Sequence, residues 1–176
     1  LQYASLGFLL HGDGSDGSTT ITDSGPAARA VTALGNAQID TAQSQFGGAS
    51  ILFDGSGDGL SISDAAATRP GSGDFTLEFF QRYNSKTGYQ TIYSKGYAVS
   101  GAIVIQTGNG DGLLNVYQGA SSTLVCSESG TINTGQWYFV QIRRSGSTLE
   151  IRRDGVLTAS GSSTTNFNST AVTYIG

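Results

Sequence analysis

Residues 137–160, WYFVQIRRSGSTLEIRRDGVLTAS, constrain the fold more than any other stretch of the chain. Apolar and polar side chains alternate there, and the runs are punctuated by Ser145-Gly146 and Asp154-Gly155. A period of two is strand geometry, and X-Gly pairs supply the positive φ that tight hairpin turns need. The stretch therefore reads as three antiparallel strands. A two-residue turn at Ser145-Gly146 sets Ile142 opposite Leu149, Val140 opposite Ile151 and Tyr138 opposite Arg153. A slip of one residue would mix the two faces. One face is then apolar, with Tyr138, Val140, Ile142, Leu149 and Ile151. The other carries Phe139, Gln141, Arg143, Glu150 and Arg152.

The remainder reads the same way. Short β-branched or aromatic runs at residues 6–10, 19–23, 30–34, 37–40, 49–53, 60–63, 75–83, 91–94, 102–106, 113–117, 122–126 and 172–175 are separated by turns such as DGSGDG and GNGDG. Strands at intervals of ~8–12 residues suit a β-sandwich. In residues 75–83, Phe75, Leu77, Phe79 and Tyr83 share one face, and Thr76, Glu78, Phe80 and Arg82 share the other. Residues 64–68 (DAAAT) are the one expected helical turn, capped by Asp64 and ended by Pro70.

Composition narrows the class. The chain has 26 glycines and only 12% charged residues, a balance that by itself suggests disorder. The regularly spaced Val, Ile, Leu, Phe and Tyr supply a core instead. The 176 residues are read as one domain, long enough to bury roughly two-thirds of the unfolded surface. A net charge of −4 with no basic run argues against nucleic-acid binding. Cys126 is the only cysteine, which excludes an intrachain disulfide and a cysteine metal cluster. It reads as a small buried residue in an apolar strand. There is no signal peptide and no apolar run long enough to cross a bilayer. The absence of methionine points to a processed chain or a piece of a longer one.

The central stretch, as Trp-x-x-Val-x-Ile-x-Arg, Gly-Ser-Thr-Leu-x-Ile and Asp-Gly-Val-Leu, resembles the laminin-G-like domains of the concanavalin A-like lectin/glucanase superfamily. Upstream, Leu9-Leu10-His11 with Asp13-Gly14, Phe46-Gly47-Gly48-Ala49-Ser50, Phe53-Asp54-Gly55 and Asp74-Phe75-Thr76-Leu77-Glu78-Phe79 follow the family's order. The resemblance implies an all-β fold, a two-sheet antiparallel β-sandwich of jelly-roll type, serving binding or adhesion. It also implies a further strand after Gly176, so the last sheet edge is expected to be open here. Two positions depart from the family pattern. Arg153 stands where Val or Ile is usual; it is expected to pass Tyr138 to the rim, or to meet a partner protein's carboxylate. Gly59 stands where Tyr is common and removes an aromatic from the loop rim.

Three chemistries bear on the candidate residues. The glucanases of the superfamily carry two glutamates flanking an aspartate on one strand; here the only glutamates are Glu78, Glu128 and Glu150, with no such spacing, and the chain is read as non-catalytic. His11 is the only histidine. No cofactor is required. Ca²⁺ suits the aspartates of the Gly-rich loops, with Asp54 and Asp58 as ligands and Asp13 from a neighbouring loop; the same carboxylates also serve as plain turn residues. A glycan suits Phe139, Gln141, Glu150 and Arg152 on one sheet face with Tyr117 nearby, Phe139 lying opposite Arg152; a merely solvated face has the same composition. Residues 38–44 (QIDTAQS) leading into Phe46-Gly47-Gly48 resemble modules of phage virion proteins. The expected roles are thus a structural and adhesion module of a virion surface protein gripping host glycans, or a secreted bacterial carbohydrate-binding module attached to a hydrolase or adhesin. Both place it extracellularly or on a virion surface, with a glycan or another surface protein as partner, no membrane insertion, and homo-oligomers by analogy with fibre modules.

Overall fold

A computed structural model describes residues 6–176. They form an all-β antiparallel β-sandwich with thirteen strands and one 3₁₀ turn. Two compact units divide the chain: Leu1–Arg69 with Thr170–Gly176, and Pro70–Ser169.

In the first unit, β1 (Val31–Leu34), β4 (Gly59–Ile62) and β13 (Thr173–Ile175) lie side by side. β2 (Gln38–Asp40) and β3 (Ser50–Leu52) pair as a separate ribbon. Ile21, Ala37, Ile39, Ala49 and Leu60 form its buried cluster. Two expected strands are missing. Residues 6–10 and 19–23 meet only at the bridge Leu10–Asp23. The reason lies in Asp23, whose buried carboxylate accepts the amides of Leu9, Gly25 and Arg29 at 2.8 Å each. The side chain thus takes the Leu9 amide that a ladder would have used, and binds the following turn through the other two. Burial pushes that carboxyl's pKa up, but the three amides and the Arg29 charge outweigh burial and hold it below the usual range.

Asp64 does not cap a helix. Its carboxylate binds Arg69, while Thr68 folds back on Ala65 to close a turn of only Ala66–Thr68. Gly59 is not on a loop rim either. It opens β4 opposite Leu34, and a Cβ there would press on the Ile175 carbonyl at 3.3 Å.

The second unit is a sandwich in its own right. One sheet holds β6 (Thr91–Lys95), β7 (Ile103–Thr107), β8 (Leu114–Gln118) and β9 (Thr123–Ser127) in that order. The other runs β12 (Val156–Ser162), β11 (Thr148–Arg153), β10 (Trp137–Ser145) and β5 (Phe75–Arg82). Val140, Ile142, Leu149 and Ile151 are fully buried between the sheets, as the alternation requires.

The β10–β11 register departs from expectation by two residues. Ser145 pairs with Thr148 and Ile142 with Ile151, so the turn is Gly146-Ser147. Gly146, at φ +59, takes the first turn position rather than the second. That is the type II′ arrangement, in which only the first central residue needs positive φ. A slip of two leaves the faces unchanged, so the apolar face is as expected while the cross-strand partners are not. The Asp154-Gly155 turn is where the sequence places it, both residues at positive φ and Arg153 paired with Val156.

Arg153 does not reach the rim. It is buried and forked on Glu128, with Nε 2.9 Å from both carboxylate oxygens and Nη2 2.7 Å from Oε2. Glu128 also accepts the Leu114 amide and the Thr158 hydroxyl. The guanidinium carbon lies 5.5 Å from the Tyr138 ring centroid. Beside it, burial pushes the Tyr83 phenol up to about 12, against the opposing effect of the Arg153 charge. Cys126 is buried as expected, its thiol raised to about 11 by burial and then by the Glu128 charge.

At the other end of the same inner face, Arg144 is buried among carbonyls. It donates to Gly73 at 2.9 Å, Thr165 at 2.6 Å and Gly71 at 2.7 Å. The rings of Phe75 and Phe167 flank it at 5.2 and 5.0 Å. Where β9 crosses β12, Gly161 lets the Val125 carbonyl pack directly on the backbone.

Two outcomes follow in chemical denaturation. Gly161→Ala places a Cβ on the Val125 carbonyl and lowers stability by about 1–3 kcal/mol. Glu128→Ala leaves Arg153 charged and unpaired and costs about 3–5 kcal/mol, whereas the double change Glu128→Leu with Arg153→Met recovers most of that loss. A double variant no more stable than Glu128→Ala would show that geometry, not unpaired charge, sets the cost.

Candidate glycan-binding face

The outward side of the β12-β11-β10-β5 sheet carries the second set of alternating residues. The β10–β5 register puts Phe139 against Phe80, Gln141 against Glu78, Arg143 against Thr76 and Trp137 against Arg82. The β10–β11 register adds Arg152 beside Gln141 and Glu150 beside Arg143. Four of the five residues expected on a glycan site, Phe139, Gln141, Glu150 and Arg152, therefore do share this face. Tyr117 does not join them. It belongs to β8 in the other sheet, between Val104 and Leu124.

Phe139 does not oppose Arg152, because of the two-residue register shift. Its ring instead meets Phe80 at 5.0 Å between centroids, tilted by 31°. The Asp154-Gly155 turn fixes it from behind. Asp154 Oδ1 accepts the Phe139 amide at 2.9 Å, and the Asp154 amide donates to the Phe139 carbonyl at 2.8 Å. The left-handed conformation of Asp154 is thus tied to holding one aromatic in place.

Beside the ring pair runs a polar row. Gln141 Nε2 donates to Glu78 Oε1 at 2.7 Å. Glu150 Oε2 takes both Arg143 Nη2, at 3.2 Å, and Arg152 Nε, at 3.1 Å. Arg152 Nη1 donates to the Gly155 carbonyl at 3.3 Å. Such cross-bonding fixes side-chain orientations, so a ligand would meet donors and acceptors already in place. Arg82 bonds Asn84 and the Gly135 carbonyl at the far end. At the opposite end, Asp74, Phe75, Thr76, Arg143, Arg144 and Ser145 line a depression of about 290 Å³.

Phe80, Glu78 and Arg143 are the neighbours that the sequence reading left out of the site. The alternation of residues 75–83 already put Glu78 and Phe80 on one face. What it lacked was the pairing of β5 with β10, a contact across some sixty residues of chain.

The loop carboxylates expected to suit Ca²⁺ are bonded to backbone. Asp58 accepts the amides of Asn36 at 2.7 Å and Asp54 at 2.8 Å, and Asp54 accepts that of Ser56 at 2.7 Å. Asp13 lies elsewhere, against Gly47. Among the described residues, no three His, Cys, Asp or Glu side chains gather as a ligand set. Among the described residues, no helix is long and apolar enough to cross a membrane.

The family described as the concanavalin A-like lectin/glucanases superfamily, in its third laminin-G pattern, matches residues 54–176. No curated protein matches the sequence. A solved structure titled carbohydrate binding module CBM66 from Bacillus subtilis shares 9% identity, with 97% of this chain and 96% of that one covered and a TM-score of 0.45.

Because both Asp58 oxygens hold loop amides, Asp58→Ala should lower the melting temperature by the same amount with Ca²⁺ and with chelator. A loss seen only with Ca²⁺ present would make Asp58 a metal ligand.

Proposed function

This chain belongs to the concanavalin A-like lectin/glucanase superfamily, and from that premise we propose that it is a non-catalytic glycan-binding module. The observation that carries the reading is the outward face of the β5–β10–β11–β12 sheet. There a half-exposed pair of aromatic rings adjoins a row of pre-oriented amide, carboxylate and guanidinium groups. Sugar rings present apolar C–H faces and hydroxyls that both donate and accept. The ring pair answers the first and the Glu78–Gln141 and Glu150–Arg143–Arg152 groups answer the second. A merely solvated face has no need for Phe80, which is 42% exposed, or for a turn whose carboxylate holds Phe139.

The absence of catalysis in this reading rests on the carboxylates. Glu128 is held in the buried pair with Arg153, and Glu78 and Glu150 are bound to Gln141 and to two arginines. None is presented as the proton donor that glycoside cleavage needs.

A face built for glycans works outside the cell. The resemblance of residues 38–48 to phage virion modules motivates a place on a particle surface, gripping host glycans. A secreted bacterial carbohydrate-binding module is the second reading, and the same face serves it equally.

A glycan array tests the function. Binding to a defined glycan class should fall about tenfold or more in Phe139→Ala and in Phe80→Ala, as it does when a central aromatic anchor is truncated. The variants should keep the wild-type melting temperature within a few degrees. An array blank for the wild-type protein would overturn the reading.

A further inference from the structure

The depression at the end of β5 and β10 opens beside the same outward face, four residues along β10 from the ring pair, and is lined also by the inward-facing Phe75 and Arg144. Its outward groups differ from those of the ring pair. Thr76 and Arg143 oppose each other across the strands, flanked by Asp74 before β5 and Ser145 at the end of β10. Asp74 Oδ1 accepts the Gly146 amide at 2.8 Å, which leaves its second oxygen as an acceptor fixed in place. Arg143 has one ion pair among the described residues, to Glu150, and its side chain is 47% exposed. A fixed carboxylate, a guanidinium and two hydroxyls around a hollow of about 290 Å³ suit vicinal hydroxyls of a single sugar ring.

Charge selects among sugars. The carboxylates of Asp74, Glu78, Glu150 and Asp154 offset the guanidiniums of Arg82, Arg143, Arg144 and Arg152 around this face and its depression. The carboxylates and guanidiniums are engaged with one another, with amides or with carbonyls. No excess of positive charge is left to draw an acidic sugar, and an added carboxylate or sulfate would face Asp74 and Glu150. From Arg143 to Phe139 the strand covers about 14 Å, the length of about three sugar units.

Resting on the glycan-binding reading above, we infer that the ligand is a neutral, linear oligosaccharide lying along β10. Its end residue sits in the Asp74–Arg143 depression, and its third residue stacks on Phe80 and Phe139. Arg143 and Asp74 set the direction and the identity of the end sugar; the ring pair supplies affinity.

Isothermal titration of the full chain tests this. The probes are cello-, laminari-, malto- and manno-oligosaccharides from disaccharide to hexasaccharide, with polygalacturonate and heparin as anionic probes. At least one neutral series should gain affinity steeply up to the trisaccharide and then level off, with little dependence on NaCl. Arg143→Gln and Asp74→Asn should each weaken the trisaccharide about tenfold. Asn keeps the acceptor for the Gly146 amide, so the turn stays intact. Neutral binding abolished by Phe139→Ala but unchanged in both end-site variants would overturn the depression as a subsite and leave glycan binding standing. Tighter, salt-sensitive binding of polygalacturonate or heparin would overturn the neutral ligand, the first pointing to carboxylate and the second to sulfate. No binding to any probe, together with a blank array, would remove both readings.

Discussion

The second unit depends on two buried arginines. Arg153 and Arg144 stand at opposite ends of one inner sheet face, with Val140, Ile142, Leu149 and Ile151 between them. Each costs several kcal/mol to bury and is tolerated because most of its donors are met, Nη1 of Arg153 alone being buried without a partner among those of the two groups. Arg153 is met by a carboxylate from the end of β9, Arg144 by three carbonyls from segments outside the sheet. Neither solution is available to an isolated hairpin. The ion pair couples the facing sheets, since Glu128 follows β9 and Arg153 ends β11. Its other bonds bring in the Leu114 amide of β8 and Thr158 of β12. An apolar pair could fill the same volume, but it would not specify which end of β9 meets which end of β11. The directional bonds of a forked guanidinium do specify it.

That inner constraint positions the outer face. Fixing β10 and β11 by Arg153 and the Asp154-Gly155 turn also fixes Phe139, whose backbone is bonded twice to Asp154. Aligning β5 on β10 brings Phe80 under Phe139 and Glu78 beside Gln141. The same strands thus carry a rigid apolar side and, one residue out of phase, a face of oriented polar groups. A binding surface on paired strands is held more firmly than one on loops, because a side chain cannot shift without breaking ladder bonds.

The two errors of sequence reading at this site have different causes. The hairpin register failed because a Gly can take either central position of a two-residue turn, and Ser-Gly and Gly-Ser frames both preserve the alternation. Hydrophobic pattern fixes register only modulo two. The inward placement of Arg153 was legible by parity, since it follows Leu149 and Ile151 on the inner face. A charge at a strand end reads as reaching the rim until its carboxylate partner, Glu128, is in view. In the first unit, the runs at residues 6–10 and 19–23 have strand composition but meet only at one bridge, where the Asp23 side chain takes the Leu9 amide.

Alternation, Gly-Asp turns and the spacing of apolar runs settled from sequence alone that this chain is an antiparallel β protein. They also settled which side of each central strand is buried. These properties are local: a residue's face depends only on its parity along the strand. The partners of Arg153, the pairing of Phe80 with Phe139, the separation of Tyr117 from both and the hollow beside Arg143 were decided by tertiary structure. Each needs segments tens of residues apart to meet at a fixed register. No local pattern encodes that distance, because it is set by how the sheets pack and by which buried charge finds its counter-ion.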